Sequence, residues 1–239
     1  MNFSEIKKYL IEGFVIFSSV FLSFYLEEIR IDNRNESNKN ELVKDLANTL
    51  EQDIGQIKSL LKILYRSEEL INEIQNDIDG GHSIYSDIDV INKLIEIEVG
   101  FSFFPKDGIF NQLIATGSFE LIDNNDLKIK LLEMFNHQRD RNFATSQEID
   151  SFNLNFRNVL LQEFRVRFNY NSYDGEFYGT RSLDNFKFNS NYYFSNSFYG
   201  LISQAKLYLN MYTRQLKDIE KEYESSLELS RQEISLSGN

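Results

Sequence analysis

The apolar positions begin with an almost continuous run, YLIEGFVIFSSVFLSFYL, which extends from Tyr9 to Leu26. As a helix, a segment of this length rises about 27 Å, which is close to the ~30 Å hydrocarbon core of a bilayer. Eleven of its residues are Leu, Ile, Val or Phe, and together they favour membrane insertion by roughly 3–7 kcal/mol. Glu12 opposes insertion, but a side chain in the first turn reaches the headgroups. The pattern therefore predicts a transmembrane helix over 9–26 after a short tail, 1–8.

Two alternative interpretations of this run stay open. A cleaved signal peptide needs small residues at its cleavage site, whereas this run ends in Tyr25, Leu26 and two glutamates. A buried core helix is the other alternative, because only Gly13–Leu26 is free of charge. Basic residues mark the cytoplasmic side of a membrane helix. Lys7 and Lys8 therefore favour a cytoplasmic amino terminus and an external body, with a cytoplasmic body as the alternative.

Downstream, a charged stalk over 27–41 either continues the helix or forms a flexible linker. From Leu42 the apolar positions recur at spacings of three and four, which predicts one long helix that Gly80 and Gly81 end. Ser86 or Asp87 caps a shorter helix that reaches Val99.

Three more helices and one irregular region complete the pattern. Asp107 caps a short helix that Gly117 ends. A long helix starts at Asn124 or Asn125 and extends as far as Phe168, with a bend near 142–146. The aromatic-rich stretch near 170–194 lacks a helical period and is predicted as a loop or a small β-hairpin. The last long helix runs from Asn196 or Ser197 to about Ile234.

These elements predict an all-α protein: a transmembrane helix followed by an antiparallel, coiled-coil-like bundle of long helices over 42–235. The single proline, Pro105, leaves the long helices uninterrupted. The net charge of −12 argues against nucleic-acid binding, which requires a basic face. The absence of cysteine excludes disulfides, thiolate metal sites and cysteine nucleophiles.

Candidate chemistry is sparse along the chain. The two histidines, His82 and His137, lack carboxylate neighbours at metal-ligand spacing, and no serine lies in a hydrolase motif. We therefore expect no catalytic residue, cofactor site or metal site, and a protein that is not an enzyme.

The predicted membrane helix carries the first candidate site. Glu12 is its ionisable residue, and such residues are functional candidates by default, although Lys8 one turn earlier is a plausible neutralising partner. Ser19 and Ser23 form a small-xxx-small pattern that permits close helix approach in lipid, and Gly13 adds small surface. These residues predict contact with the lipid bilayer and self-association.

The second candidate site is a partner-binding surface in the aromatic-rich region, because aromatic side chains dominate interface hot spots. The alternative is that these side chains cap an end of the bundle. The residues are Tyr173, Phe177, Tyr178, Tyr192 and Tyr193.

Several stretches together resemble an uncharacterised family of small single-pass membrane proteins typical of Bacteroidota. The similar stretches are the membrane segment with Glu12, Ser19, Ser23 and Glu27–Glu28, the Leu-rich acidic helix 42–61, and IFNQLIATGSFELIDNNDLKIKLLEMF over Ile109–Phe135. The glutamates after the membrane segment depart from the Asn-Asn-Trp of the family, and the aromatic-rich region has no clear counterpart there. The resemblance implies a bacterial inner-membrane location and the helical fold, and it implies no activity.

Two functional hypotheses follow. The first is a non-enzymatic, membrane-anchored helical bundle that serves as an interaction, scaffold or sensor subunit of a membrane complex, as a homo-oligomer or with a protein partner. The alternative is an oligomeric transmembrane effector or pore, for example in anti-phage defence, assembled through the 9–26 helix.

Overall fold

The computed structural model describes residues 3–171 and 180–237, with side chains over 11–169 and 182–235. This part of the chain is predominantly helical, as the periodicity predicts. Its elements are α1 (Phe3–Asp79), α2 (Asp87–Glu96), α3 (Gly108–Thr116), α4 (Asn125–Leu132), a π-helical segment (Glu133–Gln138), α5 (Arg139–Glu163), β1 (Arg165–Asn171), β2 (Thr180–Lys187), α6 (Ser190–Tyr193) and α7 (Asn196–Ser237).

The fold divides into two compact units, to both of which α1 and α7 contribute residues. The terminal unit contains the chain up to Thr49, Asp107–Ile129, and the chain from Leu227. The central unit contains Leu50–Lys106 and Lys130–Ser226. Each has its own apolar core, built for example on Leu46 and Leu113 in the terminal unit and on Leu64 and Phe156 in the central unit.

Helix α1 includes the stalk 27–41, so the helical alternative for this stretch is the one the structure adopts. The helix ends where predicted, at Gly80 and Gly81. Gly81 has a φ of +71°, and the following His82 has a φ of +58°. The His82 N–H donates to the carbonyl of Asp77 at 2.7 Å, which satisfies a free carbonyl at the helix end.

Among the described residues, no helix contains a stretch both long enough and apolar enough to cross a membrane. The predicted transmembrane segment 9–26 begins with Tyr9 and Leu10, whose side chains lie outside the described set. This finding does not support the prediction that segment 9–26 crosses a membrane, which therefore stays a prediction. From Ile11 to Leu26 the backbone is helical, and the large apolar side chains are between 50% and 72% exposed.

The predicted helix from Asn124 or Asn125 to Phe168 needs two corrections. Its backbone passes through the π-helical segment, so the irregularity precedes the predicted bend near 142–146. Helix α5 also ends early, at Glu163, because the next residue, Phe164, is extended (φ −108°, ψ 117°) and buried. The chain then enters β1, in which Val166 and Phe168 alternate with arginines as strand residues do.

The aromatic-rich region near 170–194 was predicted as a loop or a small β-hairpin. The structure contains the hairpin, and its first strand begins earlier, at Arg165. Strands β1 and β2 pair antiparallel, with Arg165 opposite Lys187 and an irregularity between Arg167 and Phe168. Helix α2 stops at Glu96 rather than Val99, and an extended segment follows it. Helices α3 and α7 begin where predicted, and Gly117 at the end of α3 has the left-handed φ of +74°.

Candidate functional site

The residues predicted for membrane contact and self-association, Glu12, Gly13, Ser19 and Ser23, are all exposed on α1. The Ser19 hydroxyl donates to the carbonyl of Val15 at 2.6 Å, and the Ser23 hydroxyl donates to the carbonyl of Ser19 at 2.9 Å. At about 100° per residue, Glu12, Ser19 and Ser23 fall on one narrow stripe, whereas Gly13 lies about a quarter turn away. The helix therefore brings together three of the four predicted residues.

The remaining circumference of this helical segment is apolar. Ser18 is the one polar residue away from the stripe between Ile11 and Leu26. A shallow groove of about 380 Å³ follows the stripe and is lined by Ser19, Val20, Ser23, Phe24 and Glu27. A helix that is apolar nearly all round requires an apolar environment on most sides, unlike a surface helix with one apolar face.

Of the five residues of the predicted aromatic partner surface, the structure describes two, Tyr192 and Tyr193. Tyr173, Phe177 and Tyr178 lie outside the described residues. Tyr193 is buried, and Tyr192 is half-buried against the rings of Phe164 and Phe198, at 5.7 and 5.3 Å between centroids. Tyr193 therefore belongs to the core of the central unit and not to an exposed surface.

Tyr193 instead contributes to a cluster that the sequence prediction missed, which we call the His82 clasp: Asp77, His82, Asp87 and Tyr193. The His82 Nδ1 lies 2.7 Å from Asp77 Oδ2, and Nε2 lies 2.8 Å from Asp87 Oδ1. The Tyr193 hydroxyl donates to Asp77 Oδ2 at 2.7 Å. The clasp thus joins the end of α1, the start of α2 and α6.

The other oxygen of Asp77, Oδ1, accepts the backbone N–H groups of Ile84 at 2.9 Å and Tyr85 at 3.1 Å. The His82 ring also stacks on Phe188, with 5.1 Å between ring centroids. Asp77 is buried and therefore organises the α1–α2 turn from inside the central unit.

The electrostatics of the clasp favour a charged imidazole. Burial alone lowers the pKa of His82, but hydrogen bonds to Asp87 and Asp77 outweigh it and raise the pKa above its ordinary value. Burial alone raises the pKa of Asp77, and the donors His82, Tyr193, Ile84 and Tyr85 lower it overall. Burial, followed by the bond to Asp77, raises the pKa of Tyr193.

This arrangement suits a structural clasp better than a catalytic centre. Both ring nitrogens of His82 are engaged by carboxylates, which leaves no ring nitrogen to accept a substrate proton. Within residues 3–171 and 180–237, no group of three His, Cys, Asp or Glu side chains is arranged to hold a metal ion.

A second feature of the central unit is the extended segment 97–106, which side chains from several elements hold in place. Asn153 Oδ1 accepts the N–H of Val99 at 3.2 Å, while Glu98 forms an ion pair with Arg157. The Tyr212 hydroxyl donates to the carbonyl of Phe101 at 2.9 Å. Between these contacts, a Cβ on Gly100 would lie 2.4 Å from a methyl carbon of Ile149, so only glycine fits.

Two grooves in the central unit flank this segment, with volumes of about 310 and 750 Å³. Both are lined by Ser102, Phe104 and Asp150; Phe143 lines the smaller groove and Leu154 the larger. Such an apolar surface is a typical interaction site on an otherwise polar protein. The sequence signal for this surface is weak, because Phe104 is one of three phenylalanines just before Pro105.

The terminal unit holds a buried ion pair. Lys39 Nζ lies 3.2 Å from Glu233 Oε1, and both side chains are buried. The two oxygens of Glu233 accept the N–H groups of Asp123 at 2.9 Å and Asn124 at 3.0 Å, just before α4. The half-exposed Glu36 also contacts Lys39 Nζ, at 2.7 Å. This arrangement fastens α7 to α1 and to the start of α4.

No protein family, no curated protein and no solved structure matches this chain. The resemblance to the Bacteroidota membrane proteins therefore stays a prediction, and functional inference depends on the side chains described above.

Proposed function

We propose that this protein is a non-enzymatic, membrane-anchored helical subunit that presents an interaction surface as a scaffold or sensor. In this proposal, segment 9–26 lies in a bacterial inner membrane, and the chain after it forms the helical body outside the lipid. The orientation suggested by Lys7 and Lys8, with an external body, belongs to the same proposal.

One observation carries the proposal: the bulky apolar side chains from Ile11 to Leu26 are exposed around most of the helix. Soluble monomers rarely expose a contiguous apolar patch of more than a few hundred Å². A single docked protein would cover one face of the helix, whereas lipid covers every side. The engagement of both His82 ring nitrogens by carboxylates removes that histidine as a candidate general base.

Membrane fractionation with matched variants tests the anchor. Two arginines near the middle of the segment, Phe17→Arg with Phe21→Arg, add about 5–7 kcal/mol to the insertion free energy. That is comparable to the whole apolar contribution of the segment. The control places the same two charges in the stalk, as Ile29→Arg with Ile31→Arg.

We expect the wild-type chain and the stalk control to stay in the membrane pellet after alkaline carbonate extraction. The Phe17/Phe21 variant should move to the supernatant or be degraded. A wild-type chain extracted by carbonate would overturn the anchor, as would equal extraction of the two double variants.

An oligomeric pore is a second candidate, favoured by the polar stripe of Glu12, Ser19 and Ser23 with its groove. Polar groups in membrane helices face other helices or water. Expression in bacteria, with leakage of an entrapped dye as the readout, tests this function. Leakage lost in both Glu12→Leu and Ser19→Leu, but kept in Val20→Leu, supports a pore; no leakage from the wild-type chain eliminates it.

A further inference from the structure

One side of α5 carries exposed residues, with the half-buried Asp150 and Arg157 among them, at alternating spacings of four and three. This α5 face consists of Phe143, Gln147, Asp150, Leu154, Arg157 and Leu161. Such spacing is the seam of a helix that pairs with another helix. The apolar core side of α5, with Ile149, Phe152 and Phe156, lies roughly a third of a turn from this face, so the face is additional to the core packing.

The apolar members of the face are well exposed. Phe143 is 59% exposed, Leu154 63% and Leu161 44%. Beside them, Phe104 is 67% exposed and lines both grooves described above. The surface therefore combines protruding apolar side chains with recesses able to receive them.

The two charged residues of the face determine which partner fits. Asp150 lies four residues before Leu154, and Arg157 lies three residues after it. In an antiparallel pair with its two-fold axis at Leu154, each Asp150 meets Arg157 of the other copy. The two leucines meet at the axis, and Gln147 meets Leu161, so the face is complementary to itself.

A parallel pair of the same helices would be unfavourable, because Asp150 would face Asp150 and Arg157 would face Arg157. Like charges juxtaposed across an interface are destabilising. Arg157 already forms an ion pair with Glu98, which holds its guanidinium beside the larger groove. A guanidinium has five N–H donors, so it has the capacity for a second carboxylate.

From this charge pattern, we infer that a second copy of this chain docks antiparallel on the α5 face, with the two-fold axis at Leu154. The interface lies entirely on the central unit and does not depend on membrane anchoring. It adds a pairing surface that is distinct from the polar stripe of α1.

Disulfide cross-linking tests this geometry directly, because the chain has no cysteine of its own. Leu154→Cys should cross-link two full-length copies in mild detergent under oxidising conditions, since the two Cα atoms lie within the ~7 Å that a disulfide allows. Leu207→Cys is the matched control, because Leu207 is 67% exposed on α7 of the same unit.

Two further positions test the direction of pairing. In the antiparallel pair, two copies of residue 147 are about 21 Å apart along the helices, beyond disulfide reach. Gln147→Cys alone and Leu161→Cys alone should therefore stay monomeric on a non-reducing gel. The double variant Gln147→Cys/Leu161→Cys should cross-link, because each copy places residue 147 against residue 161 of the other.

The pairing of Asp150 with Arg157 is tested in the Leu154→Cys background. Asp150→Arg should slow cross-linking at least tenfold, whereas Glu148→Arg, the same charge change off the face, should leave the rate within about twofold. The inference is overturned if Leu154→Cys cross-links no faster than Leu207→Cys. Self-cross-linking of either single variant at 147 or 161 also overturns it, as does an equal effect of the two arginine substitutions.

Discussion

The His82 clasp makes a quantitative prediction about the Tyr193 hydroxyl. Tyr193→Phe removes that hydroxyl and leaves the ring, so the packing against His82 and Phe188 is kept. The lost bond is a 2.7 Å hydrogen bond to the buried, ionised carboxylate of Asp77. Bonds to charged groups contribute about 1.5–3 kcal/mol.

The local effect should be larger than any global one, because Asp77 also holds the N–H groups of Ile84 and Tyr85. When Asp77 is held in place less firmly, the α1–α2 turn opens more often. A loss of 1.5–3 kcal/mol corresponds to roughly 10- to 150-fold faster amide exchange. Hydrogen–deuterium exchange with mass spectrometry, on peptides that cover 82–90, measures this change.

Tyr199→Phe is the matched control. The Tyr199 hydroxyl donates to Asp79 at 3.2 Å, but the bond is exposed to water. Its removal should change exchange in the same peptides by less than about threefold, as expected for a solvent-exposed interaction. Equal exchange in the wild type and Tyr193→Phe would refute the clasp, as would an equal effect of the two tyrosine substitutions.

Three further predictions concern the charge of His82, the close packing at Gly100 and the buried pair Lys39–Glu233. The pKa of His82 is raised from 6.5, so its stabilising contribution is complete below pH 6.5 and is lost as the pH rises through the raised value. Protection of the α1–α2 turn amides from hydrogen exchange should therefore fall above pH 6.5 in the wild type but not in His82→Asn. Asparagine is the replacement because it tolerates the positive φ of residue 82. Gly100→Ala should destabilise the central unit by about 1–3 kcal/mol through overpacking. Gly200→Ala should stabilise the unit by about 0.5–1 kcal/mol, because a Cβ at this helix position meets no atom within 4 Å. Urea unfolding measures both changes. Lys39→Met should leave Glu233 without the Lys39 cation and weaken its bonds to the N–H groups of residues 123 and 124 by about 3 kcal/mol in total. The measurement is amide exchange at residues 123 and 124, which should become faster. Unchanged exchange there would contradict the prediction.

Much of the helical architecture could be predicted because it depends on local signals. Apolar spacing indicated α1 and α7, and Gly80–Gly81 and Gly117 marked the helix ends, since each signal acts within a few residues. The end of α5 was missed because no glycine or proline lies between Glu163 and Phe168 to end the predicted helix. Only pairing with β2 distinguishes the strand from that helix.

The clusters were harder to predict because they join residues far apart in the chain. Lys39 and Glu233 are 194 positions apart, and Tyr193 and Asp77 are 116 apart. No periodicity links such pairs. A weaker signal did exist for His82, which follows Gly80–Gly81 and has an aspartate five residues away on each side.

The central claim, a lipid-embedded start of α1, is tested most directly by the depth of a spin label in reconstituted vesicles. The cysteine-free chain permits single labels at Phe17→Cys and Ile31→Cys. We expect the label at 17 to be accessible to oxygen and shielded from a water-soluble nickel complex, and the label at 31 to show the reverse. Equal access of the nickel complex to both labels would contradict the account.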